Sequence, residues 1–296
     1  MNILTVNELS KNYGAVKALD NVSFSVGQGK VFGILGPNGS GKTTLLGIIM
    51  DILKANSGSY LLFDQEPTET QRRQIGTLLE TPNFYHYLNA VDNLKIAAAI
   101  KKRGAHDIES VLHTTGLYEK RKFPFSSFSL GMKQRLAIAS ALLGNPDVLV
   151  FDEPTNGLDP AGIADIRQLI IKLASSGKTI IMASHMLDEV EKVCTDVAIL
   201  KFGKLITSGR VEDILVSDEL VELSSAQYES LLSVVHQIPN CKKVEQKDQQ
   251  VVLLTFTKGQ ADAAAINRLC FEQGITLSHL IIKKQSLESK FLELTN

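Results

Sequence analysis

The chain has few cysteines, no long apolar run and no block of charge of one sign. Its three cysteines, Cys194, Cys241 and Cys270, lie far apart and lack the spacing of metal ligands. A disulfide framework or a zinc site is therefore not expected, and a reducing cytoplasm fits best. No stretch reaches the roughly 18 apolar residues that cross a bilayer, and the first residues lack a secretory signal pattern. We expect the protein neither to enter nor to span a membrane unaided, so any membrane function would depend on a partner.

The distribution of charged residues does not indicate a nucleic-acid-binding surface. The 31 basic and 32 acidic residues leave a formal net charge of -1, whereas nucleic-acid-binding domains need a basic patch. The densest basic run is Lys101, Lys102 and Arg103, for which the pattern favours a solvated helix end over a binding patch. With 296 residues, 44% of them hydrophobic, the chain is expected to fold as one large domain and one smaller domain.

Strands and helices alternate through the first two thirds of the chain. Short apolar runs at 31–35, 148–151 and 179–183 are typical of buried strands. Helices between such strands predict a mostly parallel sheet covered on both faces. Between the first run and the later ones, helical periodicity and few β-branched residues indicate a helical subdomain over about 83–140.

The pattern changes after Gly209. The predicted order is strand, helix, strand, strand, helix, strand, at 219–223, 226–237, 242–247, 251–256, 260–273 and 275–282. This βαββαβ order predicts a small ferredoxin-like α+β domain, followed by a last helix from about Ser286. We therefore divide the chain into a first domain of residues 1–213 and an accessory or regulatory domain of residues 214–296.

A glycine-rich loop follows the first buried run. Residues 36–43 match G-x-x-x-x-G-K-[ST] between a predicted strand and a predicted helix, where backbone N–H groups and the helix N-terminus can surround phosphate oxygens. We expect Lys42 to reach the terminal phosphates of a nucleotide and Thr43 to bind Mg²⁺. A structural glycine-rich turn is the alternative. The predicted nucleotide-binding residues are Gly36, Pro37, Asn38, Gly39, Ser40, Gly41, Lys42, Thr43 and Thr44.

Two acidic residues end the run at 148–151. Asp152 stands where a second strand supplies a carboxylate to a magnesium site. Glu153 can orient or deprotonate an attacking water, a contribution of about a hundred- to ten-thousand-fold in rate. Without a phosphate loop, two acids before Pro154 would more often cap a helix; with the loop present, the pattern favours catalysis.

Four motifs in order resemble those of an ATP-binding cassette (ABC) ATPase. They are the loop at 36–44, the sequence FSLGMKQR at 128–135, the sequence DEPTNGLDP at 152–160, and Ser184 with His185. The resemblance covers roughly residues 1–213. It implies a P-loop NTPase fold of the α/β class, with a mostly parallel sheet, an N-terminal antiparallel β part and a helical subdomain.

The resemblance also implies roles for single residues. Two subunits would close head to tail over two ATP molecules, with Ser129 and Gly131 starting a helix that faces the γ-phosphate held by the other subunit. His185 resembles the switch histidine that contacts this phosphate, and would act with Lys42 and Glu153 in catalysis. Its alternative is a core or surface histidine.

Three further assignments follow from the same resemblance. Asp159 resembles the acid that joins the two subunits. Tyr13 resembles the aromatic residue that stacks on adenine, the alternative being a packed tyrosine at a strand end. Glu80 stands where the family has a glutamine that couples Mg²⁺ to the helical subdomain, and a carboxylate can take that role as a metal ligand.

The sequence departs from the usual family pattern at Glu80, Leu130 and Met132. A residue other than glycine at position 130 is expected to restrict the backbone there. The departures resemble the exporter branch associated with bacitracin and lantibiotic self-protection. The complete set of motifs, without a membrane-spanning stretch, implies an Mg-ATP-hydrolysing homodimer that powers a separately encoded permease at the cytoplasmic face of a bacterial membrane. The alternatives are a soluble ABC ATPase acting as a mechanical switch on DNA or ribosomes, and a small-molecule kinase, which leaves residues 129–135 and Asp159 unexplained.

Overall fold

The computed structural model describes residues 1–79, 83–215, 219–248, 250–283, 287–288 and 290–291. The chain forms two compact units, Met1–Val211 and Glu212–Leu294, and each is described by itself. Among the described residues, no helix has the length and apolar character needed to cross a membrane.

The first unit contains two sheets and seven α-helices within its described residues. Its strands are β1 (Asn2–Tyr13), β2 (Val16–Gly27), β3 (Val31–Leu35), β4 (Ser57–Leu62), β5 (Ile75–Leu78), β6 (Val148–Asp152), β7 (Thr179–Ser184), β8 (Asp196–Lys201) and β9 (Lys204–Arg210). Its helices are α1 (Lys42–Ile49), α2 (Glu69–Arg72), α3 (Ala90–Lys101), α4 (Ile108–Thr114), α5 (Leu130–Leu142), α6 (Pro160–Ser175) and α7 (Leu187–Val193). A short helix, α8 (Val211–Ile214), lies at the boundary with the second unit.

The larger sheet has six strands in the order β5-β6-β7-β3-β8-β9, all parallel except β9. Every residue of β3, β6 and β7 is buried, because helices cover both faces of a parallel sheet. The predicted mostly parallel sheet is thus confirmed. Leu35 lies opposite Ser184, and Asp152 lies opposite Ala183, so the residues that follow β3, β6 and β7 meet at one edge of the sheet.

The smaller sheet is antiparallel, in the order β2-β1-β4. Its buried side chains pack against the six-stranded sheet and α1 in one continuous core. Phe24 of β2 stacks on Phe32 of β3 at 5.4 Å between ring centroids. The predicted N-terminal antiparallel part is confirmed, and this packing holds β2 beside the loop that follows β3.

Helices α3, α4 and α5 form the predicted helical subdomain between β5 and β6. The expectation of a solvated helix end at 101–103 is wrong for two of its three residues. Lys102 is exposed, but Lys101 and Arg103 are partly buried. The ammonium of Lys101 donates to the carbonyl of Ser140 in α5 at 2.5 Å, a contact that local sequence does not reveal.

Within the described residues 219–283, the second unit forms a four-stranded antiparallel sheet with two helices. Its elements are β10 (Glu219–Ser225), α9 (Tyr228–Val235), β11 (Cys241–Asp248), β12 (Val251–Phe256), α10 (Ala263–Glu272) and β13 (Leu277–Lys283), and the strand order is β11-β12-β10-β13. This is the order of a ferredoxin-like fold, which confirms the prediction. The predicted last helix from Ser286 lies mostly outside the described residues.

Candidate nucleotide-binding site

The loop at 36–41 joins β3 to α1 and has a backbone that glycine makes possible. Gly41 has a φ of +106°, and a Cβ there would lie 2.4 Å from the carbonyl oxygen of Ala18 in β2. Only glycine therefore fits at this position. Gly41 is also the N-cap of α1 and supplies no side-chain acceptor, so the first amides of the helix can bind a phosphate.

The side chain of Lys42 lies over this loop. It is 5% exposed, and its ammonium donates to the carbonyls of Gly36 at 2.8 Å and Pro37 at 3.3 Å. Its third neighbour is Glu153 Oε1 at 3.4 Å. The loop thus holds a positive charge among inward-facing backbone groups.

Glu153 connects Lys42 to His185. The Nδ1 atom of His185 lies 2.8 Å from Glu153 Oε2, and the Glu153 amide donates to the carbonyl of Ala183 at 3.0 Å. The carboxylate is therefore held between an ammonium and an imidazole. Glu153 has a φ of +48°, in the left-handed region that residues with a side chain rarely adopt.

The loop also contains a buried hydroxyl that fits a phosphate ligand. Ser40 is 1% exposed, and its Oγ has no hydrogen-bond partner among the described residues. Because a buried polar atom is expected to be paired, this hydroxyl and the amides of α1 suit a group rich in oxygen acceptors. Phosphate binding by this loop stays a prediction, with which the geometry is compatible.

Asp152 and Thr43 offer hard oxygen ligands beside this loop. Asp152 is buried at the end of β6, 4% exposed, and Thr43 is in the first turn of α1. No group of three or more His, Cys, Asp or Glu side chains in the described part of the chain could hold a metal on its own. The third expected metal ligand, Glu80, lies outside the described residues.

Tyr13 ends β1, in the hairpin whose second strand contacts the phosphate loop through Ala18. Its side chain is 48% exposed, and the Lys11 ammonium lies 5.3 Å from the ring centroid. The ring is therefore not packed into a core, and one of its surfaces can accept a base.

Ser129 and Asp159 are both helix N-caps. Ser129 Oγ accepts from the Met132 amide at 3.3 Å at the start of α5, and Asp159 Oδ1 accepts from the Gly162 amide at 3.0 Å at the start of α6. Gly131 is in the first turn of α5, and a Cβ there would meet no atom within 4 Å. No hydrogen bond or ion pair between described residues joins these caps to Lys42, Glu153 or His185.

Leu130 is the first residue of α5, and the restriction expected at this position stays a prediction. Sequence reasoning missed the contact between Leu130 and Gly157. A Cβ built at Gly157 would lie 3.3 Å from Leu130 Cδ2, so Gly157 lies beside the side chain of Leu130. Gly157 has a φ of +74°, and the pattern of a single sequence does not reveal this contact.

Comparison with known proteins decides the family. A profile described as ABC transporter matches residues 19–156. The bacitracin transport ATP-binding protein BcrA of Bacillus licheniformis is 35% identical over 300 residues, covering 99% of this chain and 97% of BcrA. The chain belongs to the ABC transporter ATP-binding proteins. The predicted resemblance, including its bacitracin and lantibiotic branch, is confirmed.

Two further relatives extend the comparison for this ABC protein. The lantibiotic transport ATP-binding protein SrtF of Streptococcus pyogenes is 38% identical over 225 residues, covering 76% of this chain and 97% of SrtF. A solved ATP-binding cassette dimer in a post-hydrolysis state, bound to ADP and Pi, has a TM-score of 0.62 at 26% identity and covers 70% of this chain and 98% of that one. The protein is thus a nucleotide-binding ATPase, and these relatives give no support to a DNA- or ribosome-acting alternative.

The cap at Asp159 gives a prediction about stability. Asp159→Ala is expected to lower the free energy of unfolding by about 1 kcal/mol, because the Gly162 amide loses its acceptor. Asp159→Asn keeps an acceptor oxygen and should change the free energy of unfolding by no more than about a few tenths of a kcal/mol. Urea unfolding of both variants measures the difference, and equal losses would contradict the capping role. ATP-dependent dimerisation of the stable Asn variant then reports on the charge alone.

Proposed function

We propose that this ABC protein is the ATP-hydrolysing subunit of an exporter. Two copies close over two Mg-ATP and drive a separately encoded membrane permease at the cytoplasmic face of a bacterial membrane. The observation that carries the proposal is the contact chain from Lys42 through Glu153 to His185 beside the phosphate loop. BcrA and SrtF, named for bacitracin and lantibiotic transport, support the exporter assignment.

The site residues take complementary roles in this proposal. The loop amides, Ser40 and Lys42 bind the phosphates of ATP, and the half-exposed ring of Tyr13 stacks on the base. Glu153 orients the attacking water and accepts its proton. The Nδ1 atom of His185 contacts the carboxylate of Glu153, and the imidazole contacts the γ-phosphate once ATP is bound.

The oxygen ligands present suit Mg²⁺. Thr43 and Asp152 supply a hydroxyl and a carboxylate, and Glu80 is proposed as a further ligand. Mg²⁺ is commonly bound through one or two carboxylates and substrate phosphates rather than by a protein cage. When bound, the ion neutralises charge that develops on the phosphates.

The second copy completes the site. Ser129, Gly131 and Asp159 lie at helix starts, and no hydrogen bond or ion pair between described residues joins them to Lys42, Glu153 or His185. We therefore assign them to the ATP of a partner copy. The N-terminus of α5 then places its partial positive charge at the γ-phosphate. The second unit carries none of these residues, and we assign it an accessory or regulatory role.

An apolar groove in the first unit supplies a docking surface for the permease. The groove encloses about 440 Å³ between β5, α3 and α5, and three of its lining side chains are unusually exposed: Ile52 at 66%, Tyr85 at 51% and Ile100 at 77%. Clustered exposed apolar residues mark an interaction site. Leu79 and Asn83 also line the groove.

Substitution in the groove tests the permease assignment. Ile100→Asp is expected to weaken association with the permease by about tenfold, because a carboxylate replaces an apolar contact worth more than about 1 kcal/mol. ATP hydrolysis by the isolated protein should not change. Ile171→Asp on α6, where the side chain is 37% exposed, is the matched control. Pull-down of the permease from detergent extract measures association, and co-purification with ribosomes or DNA instead would refute the proposal.

A further inference from the structure

A second cleft, next to the apolar groove, is strongly basic. It encloses about 370 Å³ over β5, between the end of α2 and the end of α3. Five cationic side chains and one carboxylate line it: Arg72, Arg73, Lys101, Lys102, Arg103 and Glu69. We call this cleft, with its six charged side chains, the basic cleft.

Two of the five cations have carboxylate partners. Arg73 pairs with Glu69 at 2.6 Å, and Arg72 pairs with Asp51 at 3.2 Å. The other three do not: Lys101, Lys102 and Arg103 form no ion pair with any described residue. Arg103 donates instead to the carbonyl of Ile75 in β5 at 3.2 Å. Three of the five cations of the basic cleft therefore have no carboxylate partner among the described residues.

Lys101 combines partial burial with the lack of an anionic partner among the described residues. Its ammonium donates to the Ser140 carbonyl, a neutral acceptor. Burial, together with the nearby charge of Arg103, lowers the pKa of Lys101 to about 8. A buried cation without an anion is costly, and a bound carboxylate would offset this cost by pairing with it.

The basic cleft is continuous with the apolar groove. Ile52, Thr77, Leu79 and Ile100 line both, so one bound segment can fill the groove with apolar side chains and extend an acidic end into the cleft. Lys101 and Arg103 are partly buried. A side chain inserted into the cleft can reach them, whereas a flat lipid surface would contact exposed lysines instead.

We propose that the basic cleft binds an acidic segment of the membrane permease, whose carboxylates pair with Lys101, Lys102 and Arg103 beside the apolar contact. This inference rests on the proposed function, because the permease supplies the segment. It adds the chemical character of that segment: apolar residues followed closely by aspartate or glutamate.

Charge reversal at the exposed rim tests this inference. Arg73→Glu with Lys102→Glu changes two exposed side chains that lie outside the ATP site, so ATP hydrolysis by the isolated protein should not change. Lys122→Glu, also exposed, introduces a comparable reversal elsewhere on the helical subdomain. Each protein is titrated against the permease in nanodiscs of zwitterionic lipid, at low and at high salt.

The wild type and Lys122→Glu are expected to bind the permease tightly at low salt and more weakly at high salt, because salt screens exposed charges. The double variant should bind at least about tenfold more weakly at low salt and should lose most of the salt dependence. Equal affinity of the double variant and the wild type would overturn the inference. A second result would also overturn it: the wild type binds anionic vesicles that contain no permease, the double variant does not, and both proteins bind the permease equally well. That result would assign the cleft to lipid.

The two proposals fail in different ways. A wild-type protein that hydrolyses ATP but binds the permease at neither salt concentration would overturn the proposed function and, with it, the partner of the basic cleft. A wild type that binds normally, with a double variant that binds equally well, would overturn only the inference about the cleft.

Discussion

Replacement of Glu153 by glutamine is expected to lower steady-state ATP hydrolysis by about a hundred- to ten-thousand-fold, the range for loss of a general base. Glutamine has nearly the same size and can still accept from His185, but it cannot take a proton from water. The phosphate loop and Lys42 are untouched, so ATP binding and the ATP-bound dimer should persist. Phosphate release measures turnover, and equilibrium binding of a fluorescent nucleotide measures affinity.

A surface acid provides the control for this experiment. Asp165 on α6 is 61% exposed and pairs with Arg135 at 3.5 Å, so Asp165→Asn also neutralises a carboxylate in an ion pair. It should hydrolyse ATP at close to the wild-type rate. Turnover of the Glu153→Gln protein at the wild-type rate would remove Glu153 from its proposed role.

Replacement of Lys42 by alanine is expected to weaken ATP binding by about ten- to a hundredfold. A hydrogen bond to a charged group contributes about 1.5–3 kcal/mol, and each 1.4 kcal/mol corresponds to about a factor of ten. The loss falls on binding itself, in contrast to Glu153→Gln, because the ammonium contacts the phosphates before any bond is broken. Isothermal titration with ATP measures the affinity.

Lys30→Ala is the matched control for Lys42→Ala. Lys30 pairs with Asp196 at 3.2 Å, and its side chain is 40% exposed, so the variant removes a lysine from an ion pair away from the loop. Its ATP affinity should equal that of the wild type. An unchanged affinity of the Lys42→Ala protein would show that the loop amides alone bind the nucleotide.

The parts of the fold that sequence predicted are those set by local chemistry. The buried runs at β3, β6 and β7 were predictable because a parallel strand covered on both faces is apolar at every position. The phosphate loop was predictable because its glycines and lysine are needed within a few residues of each other. Ser129 was predictable as a cap because capping joins residues three apart.

The parts that sequence did not predict depend on contacts between distant segments. The basic run at 101–103 has the pattern of a solvated helix end, and only the approach of Ser140, 39 residues further on, buries Lys101. Likewise Arg72 and Arg73 join Lys101 in one cleft because β5 lies beneath both helix ends. Such tertiary packing overrides local pattern and leaves no periodic signal in one chain.

The left-handed backbone conformation of Glu153 limits how far the stability of the protein can be raised without loss of activity. A residue with a side chain at a φ of +48° costs on the order of 1 kcal/mol or more compared with relaxed geometry. Glycine or asparagine at this position would relieve the strain and raise the free energy of unfolding. Either residue would also remove the carboxylate between Lys42 and His185. Selection for heat resistance alone would therefore favour an inactive enzyme at this one position.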